Sequence, residues 1–414
     1  MNKLSLNQQQ IDFLLSPQAI RERTKKIFDL ATQDQTHFEY HPEKLQSTVD
    51  YVLSVIKKNY PTLEIPFHSR WGHFKVGASW ENKIDRVKSL DQKLTQLDPL
   101  EKARVKLDLV ITSVLLDAGA GAKWKYFEKE TEKHFSRSEG LGVASYYMFL
   151  SGAMSSDKKS LRADREGLKS LTTEDLESAF QVTEQNPLVG VEGRVLLLNN
   201  LAKALENKTI FKDGRPGNIL DYLIEKYGSG KTIPASGILR AVLDGLGPIW
   251  PGRLEANGVN LGDIWQHSAL GPQGAFESLV PFHKLSQWMT YSLIEPILEA
   301  GVNVEGVEGM TGLAEYRNGG LLIDSGLVTM RDPNNLEKAW APDSELIIEW
   351  RALTVYLLDQ IGEAVQEAIG KSPQEFPLAK VLEGGTWWAG RFLAMEKRPS
   401  GDPPIMIQSD GTVF

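Results

Sequence analysis

The densest run of reactive side chains in the sequence is Glu315-Tyr316-Arg317-Asn318, followed at once by Gly319-Gly320. An acid, a phenol, a guanidinium and an amide in a row can bind and polarise a ligand, and two glycines let a ligand or another backbone come close. Asp324 follows the apolar run Leu321-Leu322-Ile323. An acid there is costly unless paired, so it is either the first residue of a turn or it faces a site. In the helix expected over residues 344–369, at about 100° per residue, Glu345, Glu349, Tyr356, Asp359, Gln360 and Glu363 share an ordinary polar face. Arg351 falls instead among Ile347, Val355 and Leu358. A guanidinium in an apolar stripe needs a carboxylate or phosphate partner, supplied by an internal salt bridge or by a bound ligand.

Three further segments carry chemistry. Residues 68–74, His68-Ser69-Arg70-Trp71-Gly72-His73-Phe74, can line a polar pocket, with Arg70 for an anion and aromatics for a flat ligand. They can equally form a surface loop anchored by two aromatics. Asp117 ends an apolar helix, where the helix dipole disfavours a carboxylate; it is a solvated helix end or has a specific task. His283, Gln287 and Thr290 share a face of a helix expected over residues 282–295, which is a solvated stripe or a pocket wall.

Several chemistries are excluded or unsupported. The chain has no cysteine, which rules out disulfides, thiolate metal sites, iron–sulfur clusters and a thiol nucleophile. Gly228-Ser229-Gly230-Lys231-Thr232 ends like a P-loop, but Glu225 stands where the first glycine is required, so a helix C-cap and turn is the better reading. Gly119-Ala120-Gly121 lacks the third glycine of a dinucleotide fingerprint, Trp124 standing there. The seven histidines have no metal-ligand spacing, and no metal or organic cofactor is called for. A formal net charge of -8 argues against nucleic acid or an anionic membrane as partner.

The elements that must position these residues are mainly helices. Ser16-Pro17 pairs an N-cap with a proline at the first helical position. Residues 43–58, 102–116, 173–182, 190–205, 218–227 and 237–246 show helical apolar spacing, 102–116 apolar nearly all round. The helix over 282–295 is interrupted by Pro296. Residues 319–330 and 404–414 each hold two apolar runs around a glycine turn and read as small hairpins or extended turns, the second around Ser409-Asp410-Gly411. The expected architecture is one catalytic unit over 1–414, with a helical body of about 1–300 and a site-bearing part of about 301–414 that carries a small β element. The N-terminus lacks a signal-peptide pattern and no stretch reaches the roughly 20 apolar residues of a membrane span, so a cytoplasmic location is expected; the oligomeric state stays open.

Taken together, these segments resemble a family of fungal and bacterial proteins linked to uracil catabolism by the ribosylurea route. The matching stretches are residues 68–74, 108–121, 138–145, 192–194, 249–253, 261–267, 279–296, 313–324, 345–359, 382–391 and 409–414. Gly72 departs from the family pattern, which has Arg after the Trp. Ala314-Glu315-Tyr316-Arg317 and Glu349-Trp350-Arg351 are also similar to segments of queuosine-salvage nucleosidases, which implies a helical fold related to DNA glycosylases.

The resemblance implies a substrate. In that pathway uracil is ribosylated and its ring opened, and urea must then be released from the sugar. An N-ribosyl hydrolase would act on ribosylurea or its 5′-phosphate. Positive charge develops on the ribose as the C–N bond breaks, so a carboxylate beneath it is stabilising, and a second acid activates water or protonates the departing nitrogen. Glu315 and Asp324 are the candidates, with Asp117 as a further one. Arg317 and Arg351 would hold a phosphate or orient the acids, and Glu349 would bind ribose hydroxyls. Tyr316, Asn318, Arg70, His68, Trp71 and His283 complete the expected binding set. The alternatives are a ring-opening amidohydrolase and a non-catalytic binder of a nucleotide catabolite.

Overall fold

The computed structural model describes residues 2–77, 84–117, 119–228, 232–250 and 253–408. Residues 229–231 of the glycine-rich segment and 409–414 of the second expected hairpin lie outside them. The fold is mainly helical with small sheets. The chain divides into two compact units: Met1–His68, Gly252–Trp288 and Gly306–Phe414 form the first, Ser69–Pro251 and Met289–Glu305 the second. Most of the expected site-bearing part therefore shares a unit with the first 68 residues.

In the first unit the Glu345–Ile369 helix is the central element. Sixteen of its residues are buried, including Leu346, Ile347, Leu353, Val355 and Ile361. It packs against Pro17–Ala31, Leu45–Asn59 and Tyr316–Asp324. The Pro17–Ala31 helix begins as its sequence dictates: Ser16 Oγ accepts the Ala19 N–H and Pro17 takes the first position. Ile20, Ile27, Trp265, Phe282, Ala314 and Ile348 meet in one buried cluster. Short strands tie distant segments together. Phe38–Tyr40 runs antiparallel to Val328–Met330, with Phe38 opposite Met330. Asn2–Leu4 pairs parallel with Leu254–Ala256.

The Tyr316–Asp324 helix corrects the hairpin expected over residues 319–330. Glu315 caps it, accepting the N–H groups of Arg317 and Asn318, so the apolar run that follows is helical and only Val328–Met330 is extended. The glycines receive protein. A Cβ at Gly319 would lie 2.8 Å from Trp350 Cε2, and one at Gly320 would lie 3.2 Å from Pro404 Cδ. The β structure is likewise not confined to the C-terminal part, since short strands occur from Asn2–Leu4 onward.

In the second unit the Pro99–Leu115 helix is buried nearly all round, as its composition predicts. Its Asp108 is fully buried and accepts from Arg215 Nη2 at 2.7 Å and from the Gly217 N–H at 2.7 Å. The Arg137–Leu150 and Val191–Ala204 helices pack on it. The Lys284–Glu299 helix carries residues of both units and runs through Pro296 rather than stopping before it. Its expected polar stripe is not solvated: His283, Gln287 and Thr290 are all fully buried. No helix among the described residues is long and apolar enough to cross a membrane.

Candidate functional site

The strongest candidate site is built around Glu315. Residues 311–314 leading to it are buried and held in place. Thr311 N–H donates to Gln287 Oε1 at 3.1 Å, and Ala314 lies in the buried cluster. The chain is extended at Glu315 (φ -117°, ψ 159°), which turns its side chain back over the first turn of the helix. Oε2 accepts the Arg317 N–H at 2.8 Å and Oε1 the Asn318 N–H at 2.6 Å. Asn318 is fixed in turn by Thr386, whose hydroxyl donates to Oδ1 at 2.8 Å. The Glu315 carboxyl is nonetheless held above the ordinary glutamate range. Burial, which disfavours the charged form, outweighs the two N–H bonds and the smaller favourable electrostatic influences of His68 and Lys284. The residue is only half-buried, so a carboxyl of raised pKa and an approach from solvent coexist.

His68 lies within electrostatic reach of Glu315 and has a carboxylate of its own. Its Nδ1 is 2.8 Å from Glu383 Oε2, with both side chains nearly enclosed. A proton on Nδ1, donated to Glu383, leaves Nε2 as the basic nitrogen. Tyr60 donates to the other oxygen of Glu383 at 3.4 Å, and burial pushes the Tyr60 phenol above its ordinary value. Glu383 sits on a π-helical turn, Leu382–Thr386, of the kind that recurs at functional sites. Gly384 permits the turn to seat there, since a Cβ would fall 2.5 Å from Ile65 Cδ1. Glu383, Tyr60 and Lys284 are the members that sequence reasoning missed. The resemblance covered residues 382–391, but nothing local marks Glu383 as the partner of a histidine 315 positions earlier.

The other residues singled out from sequence distribute as follows. Tyr316 and Asn318 flank Glu315, and the Tyr316 ring lies 5.0 Å from the Arg317 guanidinium. Arg317 Nη1 donates to the Gly401 carbonyl at 2.7 Å. Asp324 is buried in a bidentate pair with Arg398, at 2.8 and 2.5 Å. Arg351 has the carboxylate its position required: Asp263 receives Nη1 at 2.9 Å and Nη2 at 2.7 Å. Burial alone would raise Asp263, but the Arg351 charge and its hydrogen bonds overcome this and hold the carboxyl well below the usual range. His283 is buried, with Nε2 2.9 Å from the Leu14 carbonyl, and burial lowers its pKa. All of these belong to the first unit.

Asp117, Arg70 and Trp71 belong to the second unit. Asp117 is not a solvated helix end. It pairs with the fully buried Arg70 at 2.9 Å, and burial still leaves its carboxyl raised. Arg70 also donates to Ser113 Oγ at 2.7 Å. Arg194 donates to the Leu116 and Gly119 carbonyls just beyond the same helix, which offsets the unfavourable dipole. Trp71 is buried, its Nε1 donating to the Ser292 carbonyl at 2.8 Å.

Glu349 is the centre of a second arrangement in the first unit. It is buried, although its helical position predicted an exposed polar face. Oε2 accepts the His37 N–H at 2.7 Å and faces His37 Nδ1 at 2.9 Å, while Oε1 is 3.1 Å from His267 Nε2. Neither histidine was anticipated, for they lie 312 and 82 positions away in the chain. No three His, Asp or Glu side chains among the described residues are grouped to hold a metal ion.

Comparison with known proteins agrees with the expected family. Residues 13–414 match the family described as a protein of unknown function, DUF1688. Uracil catabolism protein 4 of Lachancea kluyveri is 38% identical over 441 residues, spanning 98% of this chain and 99% of that protein. Protein urg3 of Schizosaccharomyces pombe (strain 972) is 41% identical over 412 residues, spanning 97% and 98%. The chain belongs to this family.

Proposed function

We propose, from membership of this family and from the site around Glu315, that the chain acts in uracil catabolism as an N-ribosyl hydrolase. Its substrate is ribosylurea or the 5′-phosphate of that compound, in the cytoplasm. The observation that carries the reading is a half-buried carboxyl, raised in pKa, within electrostatic reach of a histidine already oriented by a second carboxylate. The C1–N bond breaks with its electron pair leaving on nitrogen, and Glu315 delivers the proton that makes urea a neutral leaving group. Water adds to C1, giving its proton to His68 Nε2, and Glu383 steadies the imidazolium. Ribosylurea and water thus become ribose and urea. The ionised Glu315 left after proton transfer faces the positive charge on the sugar. The reading extends to the fold, which we place with queuosine-salvage nucleosidases and DNA glycosylases on the strength of the Glu315-Tyr316-Arg317 and Glu349-Trp350-Arg351 segments.

The test is to incubate purified protein with ribosylurea and with its 5′-phosphate and to measure free urea and sugar. One of the two should be hydrolysed, and Glu315→Gln should lower turnover by about 10²- to 10⁴-fold with the fold intact. Cleavage of an intact ribosyl-pyrimidine but of neither urea compound overturns the proposed step. Unchanged turnover in Glu315→Gln removes Glu315 from the mechanism.

A further inference from the structure

Glu315 and His68 stand on separate segments of the first unit, yet both are held from one helical run. It comprises Leu378–Val381, the π-helical turn Leu382–Thr386 and Trp387–Lys397. Glu383, on the π-turn, fixes His68. Three residues later Thr386, fully buried, donates its hydroxyl to Asn318 Oδ1 at 2.8 Å. Asn318 Nδ2 donates to the Leu313 carbonyl at 3.3 Å, so the amide is pinned at both ends. Gly390, one helical turn beyond Thr386, brings the run against the neighbouring residue, because a Cβ there would run into the Arg317 carbonyl.

Arg317 and Asn318 are the two residues whose N–H groups bind Glu315. The contacts at Thr386 and Gly390 therefore grip the first turn of the Tyr316–Asp324 helix at the place that clamps the carboxyl. The hydroxyl of Thr386 is used differently from those of other buried helical threonines. Thr24, Thr112 and Thr354 each donate to the carbonyl four residues earlier in their own helix. Thr386 reaches across to a second helix instead. The π-turn sets where it reaches from, since i→i+5 bonding puts one more residue into the turn than an α-helix does. That extra residue fixes the register of Glu383 against Thr386 and Gly390. The turn itself is pressed against the Leu45–Asn59 helix, where a Cβ at Gly385 would lie 2.7 Å from Val52 Cγ1.

We propose that Thr386 is a positioning residue for Glu315, and that the π-turn sets acid and base relative to each other by carrying Glu383 and Thr386 together. The proposal rests on the roles given above to Glu315 and His68. Thr386 acts through Asn318, keeping in place the N–H that meets Glu315 Oε1. N–H bonds favour the charged carboxylate. Loosening them makes the carboxyl harder to ionise and displaces the proton it is to deliver, and small displacements of a reacting group are costly to rate.

The experiment is an NMR titration of the whole protein with isotope-labelled glutamate carboxyls, the Glu315 signal being the one lost in Glu315→Gln. Thr386→Val keeps the shape of the side chain and removes the hydroxyl, whereas Thr386→Ser keeps the hydroxyl. The Glu315 midpoint should move upward in Thr386→Val and return in Thr386→Ser. With whichever ribosylurea compound the wild type hydrolyses, kcat should fall about tenfold in Thr386→Val, the worth of one good hydrogen bond, with KM little changed, and should recover in Thr386→Ser. If Thr386→Val does not fold, Asn318→Ala severs the same bond, keeps the backbone N–H and should give the same upward shift. A merely structural threonine would lower the urea midpoint of Thr386→Val and leave the Glu315 titration as in wild type; that result overturns the proposal, as does unchanged kcat in the folded variant of an active wild type. Hydrolysis of neither compound by wild type removes the hydrolase reading, while the Glu315 titration still decides whether Thr386 positions the carboxyl.

Discussion

The indole N–H of Trp71 donates to the carbonyl of Ser292, the group to which Pro296 has no N–H to give. Residue 296 should supply the N–H to the carbonyl four positions earlier, and proline has none. The tryptophan replaces that donor, and this is why the Lys284–Glu299 helix passes through its proline. Ser292 is also fixed from its side chain, its Oγ accepting the Arg70 N–H at 3.0 Å. Trp71→Phe should cost about 1–3 kcal/mol of stability, the penalty for leaving a buried carbonyl unpaired. Pro296→Ala returns the N–H, so the cost of Trp71→Phe should shrink by about 1 kcal/mol in that background. Urea unfolding of the four proteins measures the coupling; strictly additive effects would show that the indole is not standing in for the missing donor.

Removing one partner of the Arg351–Asp263 pair leaves a buried charge. Arg351→Leu should destabilise by about 3–5 kcal/mol. Arg351→Lys should recover little, because an ammonium cannot make the two parallel bonds and loses the 4.1 Å stacking on Phe282. Denaturant midpoints check both, and a lysine variant as stable as wild type would contradict the bidentate geometry.

Glu315 has a raised pKa in the folded chain. Below the ordinary value of 4.5 it is protonated in both folded and unfolded protein and imposes no penalty. As pH rises from there through its folded value, the unfolded chain releases the proton first, so stability falls across that window. Glu315→Gln should remove this part of the slope, read as the difference between the two proteins in urea unfolding from pH 4 to pH 7. If Glu315 is the acid, turnover should decline over the same alkaline limb.

Gly319→Ala tests how closely the Tyr316–Asp324 helix approaches its neighbour. The new methyl would sit 2.8 Å from Trp350 Cε2 and 2.9 Å from Thr354 Oγ1. Overpacking of this kind should cost about 1–3 kcal/mol, and a thermal midpoint equal to wild type would refute the contact.

Local signals carried the helices. Ser16-Pro17 specified its helix start, and the all-round apolarity of Pro99–Leu115 specified burial. They failed at Leu321-Leu322-Ile323, where a short apolar run suits helix or strand, and the deciding cap was itself Glu315, read as a catalytic candidate rather than a helix start. For the sites, side-chain type was legible but pairing was not. The stranding of Arg351 announced a buried carboxylate, yet nothing in the sequence pointed to Asp263, 88 residues earlier. Glu349 looked exposed because its helical sector is polar, and it is the arrival of His37 and His267 that covers this one position of the sector.

The pairing of His68 with Glu383 also bears on how the chain is made. The first unit draws on three separated stretches, and its earliest helices pack on elements synthesised more than 300 residues later. At roughly 5–20 residues per second, the apolar faces of Pro17–Ala31 and Leu45–Asn59 wait on the order of tens of seconds for the Glu345–Ile369 helix. These two helices therefore gain their shared packing partner only once the Glu345–Ile369 helix has been made.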